Sequence, residues 1–143
     1  IDNYCNSAYD YTAAFDSIQI LSYENLVLVI SVSQDVNMNF HEEKAGLIAE
    51  WVRILKCKEV ILTSCMDGDS HIGTLPLKSM KLYKRIFREN DISFRYYHLL
   101  HHAIEKGLSL VNRNDLLVLL GSEEMDAASR IVYKLLGPMK KKN

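Results

Sequence analysis

The sequence predicts a doubly wound α/β domain, with a mostly parallel sheet of five to six strands and helices on both of its faces. Three observations predict it. Short runs that are apolar on both faces recur along the chain, as strands of a buried parallel sheet require. Between them lie stretches with apolar residues at helical spacing. The chain is 143 residues long, the usual size of one domain, and contains no internal linker, repeat or low-complexity tract.

Each element follows from its pattern. Residues 1–4 read as the end of a strand. From 7 to 21, Ala8, Tyr11, Ala14, Phe15 and Ile18 form one apolar stripe, which predicts a helix. The run Leu26-Val27-Leu28-Val29-Ile30-Ser31-Val32 breaks that period and predicts a central strand. Residues 42–55 return to helical spacing through Ala45, Ile48, Ala49, Val52 and Leu55. A strand at 60–63 comes next, then a loop at 64–77 and a helix at 78–88, where Leu82, Tyr83, Ile86 and Phe87 face inward. The basic residues Lys78, Lys81, Lys84, Arg85 and Arg88 occupy that helix's other face, where a solvated surface explains them without phosphate. Further on, a strand is expected at 92–96 and a helix at 98–108 with the seam Leu100, Ala103, Ile104 and Leu108. A strand at 116–120 and a helix at 123–136 complete the pattern. The layout is Rossmann-like in outline.

Composition narrows the function classes. Seventeen basic and eighteen acidic side chains leave a net charge of −1, so no global field draws in nucleic acid or an anionic membrane. No apolar run approaches the ~20 residues of a membrane helix. Cys5, Cys57 and Cys65 are odd in number and lack a C-x-x-C spacing, which argues against a disulfide framework and a zinc site and fits a reducing, cytoplasmic setting. His98, His101 and His102 share a helix face, but no fourth ligand accompanies them at a sensible spacing, and no metal is expected. Cys65 lies on a strand-end loop with no oriented histidine implied beside it.

Neither G-x-G-x-x-G nor G-x-x-x-x-G-K-[ST] occurs, so the chain has no dinucleotide fingerprint and no P-loop to activate ATP unaided. In open α/β sheets, ligands bind beyond the carboxyl ends of the strands, where strand order reverses. That rule selects the loops at 3–7, 33–40, 64–77 and 121–126.

The residues in these loops suggest a family. Ile1-Asp2-Asn3-Tyr4-Cys5-Asn6-Ser7-Ala8, running into a helix with Ala13-Ala14, resembles the segment D-[DS]-Y-[AN]-[HA]-[TN]-P that opens the C-terminal domain of Mur ligases. A buried strand and a polar loop containing Asp35 follow in the family's order, then a strand ending in Thr63-Ser64 before an acidic loop. Asp115-Leu116-Leu117-Val118-Leu119-Leu120-Gly121 resembles the family's last strand, with its K-G-H-E-type turn beyond. The resemblance spans nearly the whole chain.

It implies one domain of an ATP-dependent amide ligase that adds an amino acid to a UDP-N-acetylmuramoyl-peptide in peptidoglycan synthesis. A carboxylate is phosphorylated in a central domain, and the amine of an amino acid attacks the acyl phosphate. ATP and Mg would be held mainly by that central domain, so N-terminal and central domains are expected upstream of Ile1. Asp2, Asn3, Tyr4 and Asn6 would face ATP, although Asn6 or Ser7 could equally cap the first helix. Asp35 is a further substrate-side candidate. Asp67, Asp69, Glu123 and Glu124 could attract the ammonium of an amino acid, and Glu123 and Glu124 would also suit a helix's first turn.

The chain departs from the pattern in several places. Asn6 stands where many members have His, and Ala8 replaces the proline. The loops around Asp35 and Asp67 lack the arginines of the tripeptide-forming branch's G-C-G-G-D-R-D and D-N-P-R segments. Without a bidentate clamp, either diaminopimelate is not the substrate or the chain is a divergent paralogue. A folate or poly-amino-acid ligase of the same superfamily and a non-catalytic flavodoxin-like binding domain remain alternatives.

Overall fold

The computed structural model describes residues 1–32, 37–65 and 77–137. Five strands, β1 (Asp2–Tyr4), β2 (Leu26–Ser31), β3 (Glu59–Thr63), β4 (Phe94–Tyr97) and β5 (Leu116–Gly121), form one all-parallel sheet in the order β1-β5-β2-β3-β4. Helices α1 (Ala8–Gln19), α2 (Met38–Ile54) and α3 (Leu77–Glu89) follow β1, β2 and β3, while α4 (Leu100–Leu110) leads into β5 and α5 (Ala128–Leu136) follows it. This is the expected doubly wound, Rossmann-like arrangement.

Alternation along the strands divides the core in two. Leu26, Leu28, Ile30 and Val32 point, with Val60, Leu62, Val118 and Leu120, into the layer under α1, α2 and α3. Val27, Val29, Ile61 and Leu119 point the other way, against Leu100, Ala103 and Ile104 of α4 and Ala128 of α5. The central strand β2 is buried along its whole length, which explains its unbroken apolar run.

Most boundaries differ from the sequence reading by a residue or two, and the larger shifts have local causes. Helix α2 starts at Met38 rather than 42, because the Asn37 side chain accepts the Phe40 N–H as a cap and buried His41 and Lys44 extend the inward stripe. Strand β4 starts only at Phe94, because Asp91 and Ile92 are used to end α3. Asp91 adopts φ 55°, and the N–H groups of Asp91 and Ile92 return to the carbonyls of Arg88 and Phe87. Lys56 (φ 51°) closes α2 in the same way, through Lys56 N–H to Arg53 and Cys57 N–H to Val52. Glu123–Met125 forms a separate 3-10 turn, so Glu123 and Glu124 do not belong to the first turn of α5. His98 precedes α4 rather than starting it.

Strand order fixes where the chain reverses. The loops after β1 and β2 lead to helices on one face of the sheet, whereas the loop after β5, which lies between them, leads to α5 on the other. The carboxyl end of β5 is therefore the crevice that such sheets use for ligands. No helix among the described residues is long and apolar enough to cross a membrane.

Candidate functional site

A cavity of about 250 Å³ opens in that crevice. Cys5 and Asn6 line it from the end of β1, Ser122 and Glu124 from the turn after β5, and Asn37, Phe40 and Lys44 from the amino end of α2. The close approach of β5 to β2 shapes its floor. Gly121 pairs with Tyr4 on one side, and a Cβ added to it would lie 2.3 Å from the Ser31 hydroxyl on the other. Only glycine leaves room there for Ser31 to reach into the turn.

Ser31 joins the two charges of the site. Its carbonyl accepts the Lys44 ammonium at 2.5 Å, and its hydroxyl donates to Glu124 Oε1 at 2.6 Å. Ser122 donates to the other carboxylate oxygen at 2.6 Å. The Lys44 side chain is only 2% exposed, lies in the helical stripe that faces the core, and places its Nζ 4.8 Å from the Tyr11 ring centroid. Burial lowers its pKa to about 8, against the opposing pull of Glu124, Cys5 and Cys65. Burial also pushes the Glu124 carboxyl up, but the hydroxyls of Ser122 and Ser31 and the charge of Lys44 together hold it below its ordinary value. The Cys5 thiol is raised to about 11, chiefly by burial and further by Asp10, so it stays protonated at neutral pH.

The site residues expected from sequence fall into separate places. Asn6 and Glu124 meet at the cavity. Asn3 and Tyr4 line a shallower hollow beside α1, with Asp10 and Ser17. Asp2 sits on the opposite face of the sheet, where it accepts a hydrogen bond from Ser129 of α5 and borders an apolar groove. Glu123 is exposed at the start of the 3-10 turn. Asp35, Asp67 and Asp69 lie outside the described residues. Capping of α1 falls to Ser7, whose hydroxyl accepts the Asp10 N–H while the Asp10 carboxylate accepts the N–H groups of Asn6 and Ser7. The Asn6 side chain is thus not needed as the cap.

Lys44, Ser31, Asn37 and Ser122 were not singled out from the sequence. One signal was present: Lys44 sits between His41 and Ile48 on the stripe that α2 buries, where a lysine is out of place. Cys65 follows β3 with φ 52° and is buried, its sulfur 3.7 Å from that of Met125. None of the three cysteines forms a disulfide. A second polar chain runs along the rim, where Tyr96 donates to the Ser64 hydroxyl at 2.8 Å, Ser64 to the His98 carbonyl, and His98 Nδ1 lies 3.2 Å from the Tyr96 hydroxyl.

The cavity therefore offers a cation and an anion a few side chains apart, beside a helix amino end. That pattern suits a small zwitterion. Compared with known proteins, the chain matches no family model and no curated sequence.

Proposed function

We propose that this chain is the amino-acid-holding and closing domain of an ATP-dependent carboxylate–amine ligase of the Mur type. In this reading it adds an amino acid to a UDP-linked muramoyl peptide. The observation that carries the proposal is the shared cavity of Lys44 and Glu124 at the switch point of the sheet. An α-amino acid carries both charges on one carbon. Its carboxylate would take hydrogen bonds from Lys44, helped by the positive end of α2, and its ammonium would face the Glu124 carboxylate, which the two serines hold in place.

The chemistry of the reading places no catalytic group in this domain alone. A partner domain phosphorylates the carboxylate, and the amino acid held here presents its nitrogen to the acyl phosphate. The loop carrying Asn6 borders the same cavity and would meet the nucleotide when the domains close, with ATP and Mg bound mainly by the partner. Holding the amine-bearing substrate supplies orientation, which can contribute several kcal/mol to such a step.

The test is a calorimetric titration with glycine, L-alanine, L-lysine and L-glutamate. At least one should bind saturably at one site, with affinity reduced at least about tenfold in Glu124→Gln and in Lys44→Met, as loss of a charged hydrogen bond of about 1.5–3 kcal/mol requires. Absence of saturable binding by any amino acid sinks the reading. ATP alone should bind little, and tight binding would overturn the closure role.

A further inference from the structure

The other end of the same sheet edge holds a donor cluster independent of the cavity. Two residues link the end of β4 to helix α4, whose first turns carry His101, His102 and Glu105. One nitrogen of each imidazole and one oxygen of the carboxylate lie within 4.8 Å of one another. The two rings stand 4.1 Å apart between centroids at 50°, so they are already gathered over one patch of the helix. His101 is half-buried, while His102 and Glu105 are exposed and can turn toward it.

We propose that His101, His102 and Glu105 form a binding site for a borderline divalent cation of the zinc type. Residues at i, i+3 and i+4 share a helix face, which brings Glu105 to both histidines. At the 4.8 Å limit a central ion would sit about 2.8 Å from each donor, against about 2.0–2.2 Å in a formed site, so sub-ångström side-chain movements close it. Two imidazoles and one carboxylate suit Zn²⁺, with Cu²⁺ or Ni²⁺ as competitors. The all-oxygen shells of Mg²⁺ and Ca²⁺ are a poor match.

Three protein ligands leave at least one coordination position, filled by water or by a group from a partner. The amino end of α4 opposes a cation through its dipole, worth ~0.3–1 kcal/mol, which makes the site weaker than a buried one without abolishing it. Helix α4 packs on the face of the sheet opposite α2, and none of the three residues lines the Lys44–Glu124 cavity, so the cluster does not contribute to it.

The experiment uses the 143-residue chain stripped with EDTA and titrated with ZnCl₂ by calorimetry, then with CoCl₂ by visible absorption. One equivalent of Zn²⁺ should bind, and His102→Ala and Glu105→Gln should each weaken it at least about tenfold, the low end of what even an outer partner's loss costs a metal site. His98→Ala should leave it unchanged. Because His102 and Glu105 are exposed, both variants should keep the wild-type melting temperature in EDTA, so lost binding reports ligation. The proposal is overturned if the double variant His102→Ala/Glu105→Gln binds like wild type, if Mg²⁺ binds equally well, or if the cobalt complex shows a thiolate charge-transfer band.

Discussion

Lys44 illustrates how one residue couples the site to the stability of the fold. A buried ammonium is poorly solvated, and its bonds to Ser31 and the Tyr11 ring recover only part of what water supplied. Replacing it with an apolar chain of similar length, Lys44→Met, removes the penalty that a pKa lowered to about 8 carries, less what Glu124 loses with its cation, and should stabilise the protein at pH 7 by about 1–3 kcal/mol while weakening amino-acid binding. The sign of the pH dependence follows from the depressed pKa. Between about 8 and the ordinary 10.5, the unfolded chain holds a proton on Lys44 that the folded chain has released, so wild-type stability from this group rises with pH. The advantage of Lys44→Met should therefore shrink between pH 8 and 10, measured by urea unfolding at a series of pH values. Cys5 and Cys57, raised by burial to about 11 and about 12, act in the opposite direction, and Cys5 more so in the variant, where the Lys44 charge that lowers its pKa is gone. A variant less stable than wild type at pH 7, or a constant difference across this range, would sink the argument.

At the level of elements, the two left-handed helix ends have a direct consequence. Lys56 and Asp91 hold positive φ at the second residue beyond α2 and α3, where glycine carries no steric penalty. Lys56→Gly and Asp91→Gly should each stabilise the fold by up to about 1 kcal/mol, less what glycine adds to the entropy of the unfolded chain. Thermal melts of both variants check this, and a lowered melting temperature in both would count against it. The helices and strands themselves were legible, because the apolar spacing that defines them is the spacing that buries them. Their ends were less so. Asn37 as a cap and Ile92 as part of the close of α3 are choices made by hydrogen bonds that the hydrophobic pattern does not carry. Glu105 lies outside the apolar seam of α4, so the hydrophobic pattern gave no reason to join it to His101 and His102.

For the whole molecule, the α/β class could be read from the sequence and the strand order could not. Order depends on pairings such as Asp2 with Leu119 and Leu28 with Val118, which join residues far apart in sequence, and no local pattern records them. The switch point depends on that order, so the cavity assembled from Cys5, Lys44 and Glu124 was visible only as three unrelated residues. The sheet also has two short edges, three residues in β1 and four in β4, and the half-exposed Arg95 on β4 pairs with Glu59 of β3 at 3.4 Å. Short, charged edges resist pairing with other chains. The protein should accordingly stay dispersed at high concentration, and Arg95→Val should promote self-association in sedimentation experiments. An unchanged sedimentation coefficient would remove Arg95 from that role.

The position of β5 bears finally on how the chain acquires its structure. Strand β5 follows the other four in sequence yet separates β1 from β2, and among the described residues β1 pairs with β5 alone. During synthesis, the segment up to about residue 113 can gather β2, β3 and β4 with their helices, but β1 must wait unpaired until the ribosome has released β5. Closure is then a late insertion with long loops to order, the slow kind of step. A chain ending at Arg113 should leave the amides of Asp2–Tyr4 unprotected from hydrogen exchange, whereas the full chain should protect those that bond to β5. The crevice at the end of β5 thus comes into being only once β5 is made, so no shorter nascent chain presents a finished pocket.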